Sequence, residues 1–443
     1  MTRSTRLVVV ALALGLSACS GPVPTSTFIE PDPAEPSSPL TGGPGTVGPP
    51  IAIDRDKELL VKSRAIVSGA RSDGTLAESP WSFRHLVEAL APPAESAAFV
   101  SAWLASWTST STAPAQGSLA LGKRLDVRAK LVCPWLRLTP ANGCDETCSQ
   151  CSSESLDLTR APFRLLAIVN RLDLAETQQG CTEDAAEARF VFVATSPEGT
   201  TTLAFNVIFE YGANGTEAGD PKAWHALASL ADERYAAALE RITRSFTDLP
   251  RPSLKQVRTS ENLGTASGTS WQLRQFERGD AGLVPTALTN TVPDAVDGTP
   301  ALSDHVHAHF TEISSGDNAV TPALRTASST MPRADFRWSD PAGDSGALDL
   351  FRLSTCNGCH AGHRGDTTFL PFSHVGSNEK GETVVSRFLD DPLNHTGDEL
   401  AFRERSLARR LQGQCGSFEA SYAGRRGGGG GGLERPGLPR RVH

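Results

Sequence analysis

Methionine is almost missing from this chain of 443 residues: Met1 and Met331 are the only two. No methionine thioether therefore lies anywhere after position 331. Also missing are G-x-G-x-x-G, G-x-x-x-x-G-K-[ST] and G-x-S-x-G, so neither a dinucleotide fingerprint, nor a P-loop, nor a hydrolase nucleophile elbow is present. No internal repeat is found. No basic patch interleaves with aromatics in the middle of the chain, which excludes a nucleic-acid footprint. After the first twenty residues no apolar run is long enough to span a bilayer.

What is present begins with an export layout. Arg3 and Arg6 precede an apolar run from Leu7 to Leu16, too short to cross a membrane and arranged as a signal segment. It ends in Leu16-Ser17-Ala18-Cys19, which resembles a bacterial lipobox. That resemblance implies cleavage after residue 18, lipidation of Cys19 and a membrane anchor, with Ser20 favouring the outer membrane. Two of the 42 basic residues, Arg3 and Arg6, leave with the signal, so 40 remain against 50 acidic ones, a formal charge of −10. Residues 19–50 are rich in Pro, Gly, Ser and Thr with few large apolar side chains, and read as a disordered tether. At the far end, 421–443 holds Gly427 to Gly432 among arginines and prolines and reads as a disordered tail.

The remaining stretch, 51–420, is long enough for more than one domain. Residues 51–340 read as an α+β unit of unknown role with a largely antiparallel sheet, because strands and helices come in blocks. Trp81 to Leu90 and Glu95 to Trp107 have helical spacing, with Phe99, Trp103 and Trp107 as one stripe. Strands are expected at Phe163 to Asn170, Arg189 to Ala194, Leu254 to Thr259 and Trp271 to Glu277, with Leu283 to Val292 a weaker one. Thr201 to Tyr211 alternates Leu203, Phe205, Val207 and Phe209, which predicts a strand with one buried face. Lys222 to Leu230 and Asp232 to Phe246 read as helices.

Cysteine carries the chemistry. Cys133, Cys144, Cys148, Cys151, Cys181 and Cys415 are disulfide candidates in an oxidising compartment, and spacing cannot choose their pairing. Cys144-x-x-x-Cys148-x-x-Cys151 matches the iron–sulfur spacing of radical-SAM enzymes, a reading excluded by export and by the lack of a strand–helix rhythm after it. Near the C-terminus stands Cys356-Asn357-Gly358-Cys359-His360. Composition alone would produce such a C-x-x-C-H run on the order of 0.005 times. Its spacing lets two thiols reach the two vinyl groups of one porphyrin while the adjacent imidazole meets the iron.

Gly346 to Phe351 followed by that run resembles the opening helix and haem turn of a small c-type cytochrome. The likeness covers a small, mostly helical segment, 341–420, and only the C-x-x-C-H is specific. It implies covalent haem c on Cys356 and Cys359, His360 as proximal ligand, and electron transfer with a redox partner protein. It also implies a distal Met downstream, and this chain has none. His374 is the first expectation for that place and His395 the second; an open sixth position is the other outcome. His363 lies too close to His360 to reach the opposite porphyrin face. Two other readings stand beside haem: an all-disulfide structural or ligand-binding lipoprotein, and zinc on Cys356, Cys359, His363 and His374.

One more group of ligand-type residues is Asp304-His305-Val306-His307-Ala308-His309. With Ser303 as N-cap and Val306, Phe310 and Ile313 as the buried stripe, it reads as a helix carrying His305 and His309 one turn apart. No acid, base or nucleophile of a catalytic constellation stands out.

Overall fold

The computed structural model describes residues 51–67, 79–109, 111–113, 119–177, 180–248, 250, 252–263, 272–279, 282–288, 290–315, 320–326, 328–330, 338–339, 348, 351, 355–356, 373–378, 381–386, 388–390 and 399–414. The signal segment with Cys19, the tether, Cys359, His360, His363, His395, Cys415 and the tail lie outside them. The described residues belong to one compact unit that begins at Ile51. Among them, no helix is long and apolar enough to cross a membrane.

The fold is α+β, built on an antiparallel sheet. In chain order its strands are β1 (Leu60–Val61), β2 (Phe163–Arg171), β3 (Glu187–Thr195), β4 (Thr202–Gly212), β5 (Leu254–Glu261), β6 (Gln272–Gly279), β7 (Gly282–Thr286) and β8 (Ser328–Thr330). They lie side by side in sequence order from β1 to β7, and β8 pairs with the other end of β6. Every pairing is antiparallel. Consecutive strands usually lie side by side, and here they do so even across the long segments 62–162 and 213–253.

One face of the sheet carries the aromatic core. Phe163, Phe190, Phe192, Phe205, Val207, Phe209, Tyr211 and Phe276 are fully or nearly fully buried. Helices α1 (Phe83–Leu90) and α2 (Pro93–Ala105) pack on that face, and α3 (Asp232–Thr247) continues the layer with Phe246 against Tyr211 and Phe190. Ser82 caps α1 by accepting from the His85 amide, and the apolar residues Phe83, Leu86, Val87 and Leu90 then fall on one buried stripe. Phe83 is the hub: its ring lies 4.3 Å from that of Phe163 and within 6.5 Å of those of Trp103, Trp135, Phe192 and Phe209. Burying such a side chain contributes roughly 1.5–3 kcal/mol.

The opposite face is buried as well, which corrects the expectation of a single buried face. Asn206 and Glu210 on β4, Arg189 on β3 and Arg171 on β2 are at most 8 % exposed. The cover comes from the C-terminal part of the chain: hairpin strands β9 (Val375–Ser377) and β10 (Thr383–Val385), Phe388, Leu389, and helix α5 (Glu399–Leu411). Thr383 Oγ1 donates to the Leu166 carbonyl at 2.9 Å, and Asn206 Nδ2 donates to the Val375 carbonyl at 3.1 Å. Residues within the expected haem segment, 341–420, thus share the core of the sheet.

A smaller second core gathers Val292, Leu302, Val306, Ile313, Val320, Leu324, Trp338, Leu348 and Phe351 around helix α4 (Pro300–Ala308). Here two local expectations are corrected. The N-cap is Thr299 rather than Ser303, its hydroxyl accepting from the Leu302 amide. Phe310 is 48 % exposed rather than buried. The helix breaks at His309 (φ −113°, ψ 25°), which turns the following turn, Phe310–Ser315, out of the stripe while Ile313 stays buried.

Candidate functional site

Between the second face of the sheet and its C-terminal cover lies a cavity of about 110 Å³. Its floor is built by side-chain alternation on the central strands. Val191, Ile208 and Arg258 stand in one cross-strand row, and Asn206, Ser260 and Leu273 in the next. Its roof brings together Cys356, Ser373, His374, Val375 and Leu389. Two residues of the expected haem site, Cys356 and His374, therefore meet on one cavity. Cys359 and His360 lie outside the described residues.

Cys356 is held from both ends. Its amide donates to the Asn290 carbonyl at 3.0 Å, and Thr291 Oγ1 donates to Sγ at 3.2 Å. Asn290 adopts φ 62°, a left-handed conformation that Asn tolerates better than most residues. Burial pushes the Cys356 thiol above its ordinary range, against the opposing pull of the Thr291 hydroxyl and the Arg258 guanidinium. The preceding Thr355 hydroxyl accepts from Trp338 Nε1 at 3.0 Å, which fastens the start of the run to the second core. His374 stacks on Phe388 with ring centres 4.6 Å apart, and its Nδ1 lies 2.9 Å from Ser386 Oγ. Those two contacts fix the plane of the imidazole.

Along one side the cavity is walled by charge that sequence reading did not single out. Arg189 pairs with Glu187 at 2.6 Å and with Glu210 at 3.5 Å, and Arg258 reaches Glu210 at 3.6 Å. Arg171 pairs with Asp173 at 2.9 Å and with Glu399 at 3.6 Å, and Glu399 with Arg403 at 3.2 Å. Four guanidiniums thus face four carboxylates, so the wall is neutral in sum. Burial would raise the Glu210 carboxyl, yet Arg189 and Arg258 hold it below its ordinary value. Burial lowers Arg403 to about 10, with Arg171 adding to the fall. It also raises Glu399. The one legible signal was alternation: Asn206 and Glu210 interrupt the apolar run of β4 at even positions, and Arg189 stands directly opposite Glu210.

The cysteine-rich loop lies apart from this cavity's lining. Cys133 pairs with Cys148 and Cys144 with Cys151, two interleaved disulfides. Cys181 is also disulfide-bonded, its partner lying outside the described residues. The sulfurs of Cys144, Cys148 and Cys151 fall within 4.8 Å of one another. In the disulfide state none of them offers a thiolate, so a metal there requires reduction.

The donor types at the cavity, a thiol and an oriented imidazole, are those a c-type haem takes. The cavity volume is not. It falls below the roughly 300 Å³ at the small end of organic-ligand pockets. Haem attachment would require the cover that carries Cys356 and His374 to stand further from the sheet. In comparison with known proteins, no family model, no curated protein and no solved structure matches this chain.

Proposed function

We propose that the chain is an exported lipoprotein, anchored at Cys19, whose C-x-x-C-H run carries one covalent haem c for electron transfer to a partner in the cell envelope. The observation that carries this reading is the meeting of Cys356 and His374 on one cavity. Cys356 and Cys359 would hold the porphyrin through thioether bonds, and His360 and His374 would be the iron's imidazole ligands, the His374 ring being oriented by Ser386 at Nδ1. Bound there, haem would supply a one-electron iron couple, with two imidazole ligands favouring a lower potential than His/Met ligation. The chain's own part is to orient. Ser386 and Phe388 fix the imidazole, and Thr291 fixes the Cys356 sulfur.

A second reading is favoured by one observation, the small volume: a lipoprotein without haem that binds a small apolar ligand between sheet and cover. One experiment separates the two. The full-length precursor is expressed in a periplasm with cytochrome c maturation machinery, and the pyridine haemochrome spectrum and intact mass of the product are recorded. A haem-sized mass increase with c-type bands supports the first reading. A colourless protein without the mass increase overturns it and leaves the second.

A further inference from the structure

Helix α5 ends beside a cysteine that is already bonded. Cys181 is in a disulfide whose partner lies outside the described residues, and its backbone pairs with that of Glu176 in a short hairpin. The last turn of α5 rests on this hairpin. Arg410 Nη1 lies 3.7 Å from Cys181 Sγ, Arg410 Nη2 lies 2.7 Å from Glu183 Oε2, and Arg409 pairs with Glu176. Beyond α5 the chain turns back on itself. Gly413 takes φ 71°, the left-handed conformation that closes many helices, and the Gln414 amide donates to the Arg409 carbonyl at 2.9 Å. The residue that follows Gln414 is Cys415.

Cys133, Cys144, Cys148 and Cys151 pair among themselves, and Cys356 is a free thiol. Of the cysteines left, Cys19, Cys359 and Cys415, the last is the one whose described neighbours touch the Cys181 hairpin. Cys356, the described neighbour of Cys359, is fastened to Asn290 and Thr291 instead. We propose that Cys181 and Cys415 form a disulfide that clasps the end of α5 to this hairpin and keeps the cover shut over the cavity. In forming it, the two thiols give up two electrons and two protons to a disulfide oxidant, which leaves as two thiols. Arg403 of α5 lines the cavity, so what holds α5 holds that wall. The other fastenings at this end of the helix include ion pairs that reach solvent, Glu183 being 45 % exposed, and such pairs contribute little in water. A covalent bond between segments so far apart in the chain removes much more freedom from the unfolded state. The clasp does not depend on haem at Cys356.

The test uses the full chain, with free thiols blocked before digestion by trypsin without reduction. Cys181, Cys415 and Cys359 fall in separate peptides, 172–189, 411–425 and 353–364, so the link is read directly from mass. The expected result is 172–189 joined to 411–425. A link from 172–189 to 353–364, or to the peptide of Cys19, would overturn the pairing. Hydrogen exchange then tests the clasp. Cys181→Ser and, separately, Cys415→Ser should speed amide exchange in 399–411 at least tenfold and leave α3, 232–247, unchanged. Unchanged exchange in 399–411 would overturn the closing role, and equal acceleration in α3 would do so too, because it would report general unfolding.

Discussion

Arg189 and Glu210 stand directly opposite one another on adjacent central strands, their charged ends 3.5 Å apart on a buried face of the sheet. An ion pair in that position is a costly way to build a core. Its desolvation penalty is several kcal/mol per charge and is offset only when the whole network is satisfied. Here Glu210 also meets Arg258, and Arg189 also meets Glu187, so each charge has two partners.

Removing one partner should therefore cost far more than the pair contributes in sum. Glu210→Ala is expected to lower unfolding stability by about 3–5 kcal/mol, read from chemical denaturation. Arg241→Ala, which breaks the 2.9 Å pair of an arginine that is 65 % exposed with Glu217, should change it by less than about 1 kcal/mol. Equal effects would mean that the buried network is dispensable.

The disulfide pairing is directly checkable. Non-reducing peptide mapping should recover Cys133 linked to Cys148 and Cys144 linked to Cys151. The double variant Cys133→Ser, Cys148→Ser should lose about 2–5 kcal/mol of stability. Recovery of Cys133 with Cys144 instead would refute the pairing.

His305 makes stability depend on pH in a defined direction. Burial, with the nearby His309 adding to it, depresses its folded value to about 4, against about 6.5 for a free imidazole. Between those values the unfolded chain binds a proton that the folded one does not, so stability falls as pH drops from about 6.5 to about 4 and this contribution levels off below. His305→Gln should flatten that slope, as followed by denaturation midpoints. An unchanged slope would assign it to other groups.

If haem is bound, His374→Ala should turn a six-coordinate low-spin spectrum into a five-coordinate high-spin one, with covalent attachment retained. Cys356→Ala should instead sharply reduce attachment. An unaltered spectrum in His374→Ala would remove this residue from the iron and turn attention to His395.

Much of the frame was legible in local pattern. The strand now spanning Thr202–Gly212 was expected at Thr201 to Tyr211, and helix Asp232–Thr247 at Asp232 to Phe246. In both, the apolar residues recur at one period and meet one packed layer, although the polar face of the strand is covered too. At α4 they parted. A backbone break at His309 rotated Phe310 outward, and no residue pattern forecasts that break. The charged wall was missed for a related reason. Arg171, Arg189, Glu210 and Arg258 look like the polar half of an amphipathic strand, the half that ordinarily meets water.

By itself the sequence determined the order and type of the main elements and the spacing of the C-x-x-C-H run. These depend on neighbours a few residues apart. Only the tertiary structure decided that the polar face of the sheet is buried, that residues 373–411 cover it, and that Cys356 and His374 share one cavity. Those are contacts between segments far apart in the chain. Charge meeting charge across strands is set by register and fold, and no local periodicity encodes it.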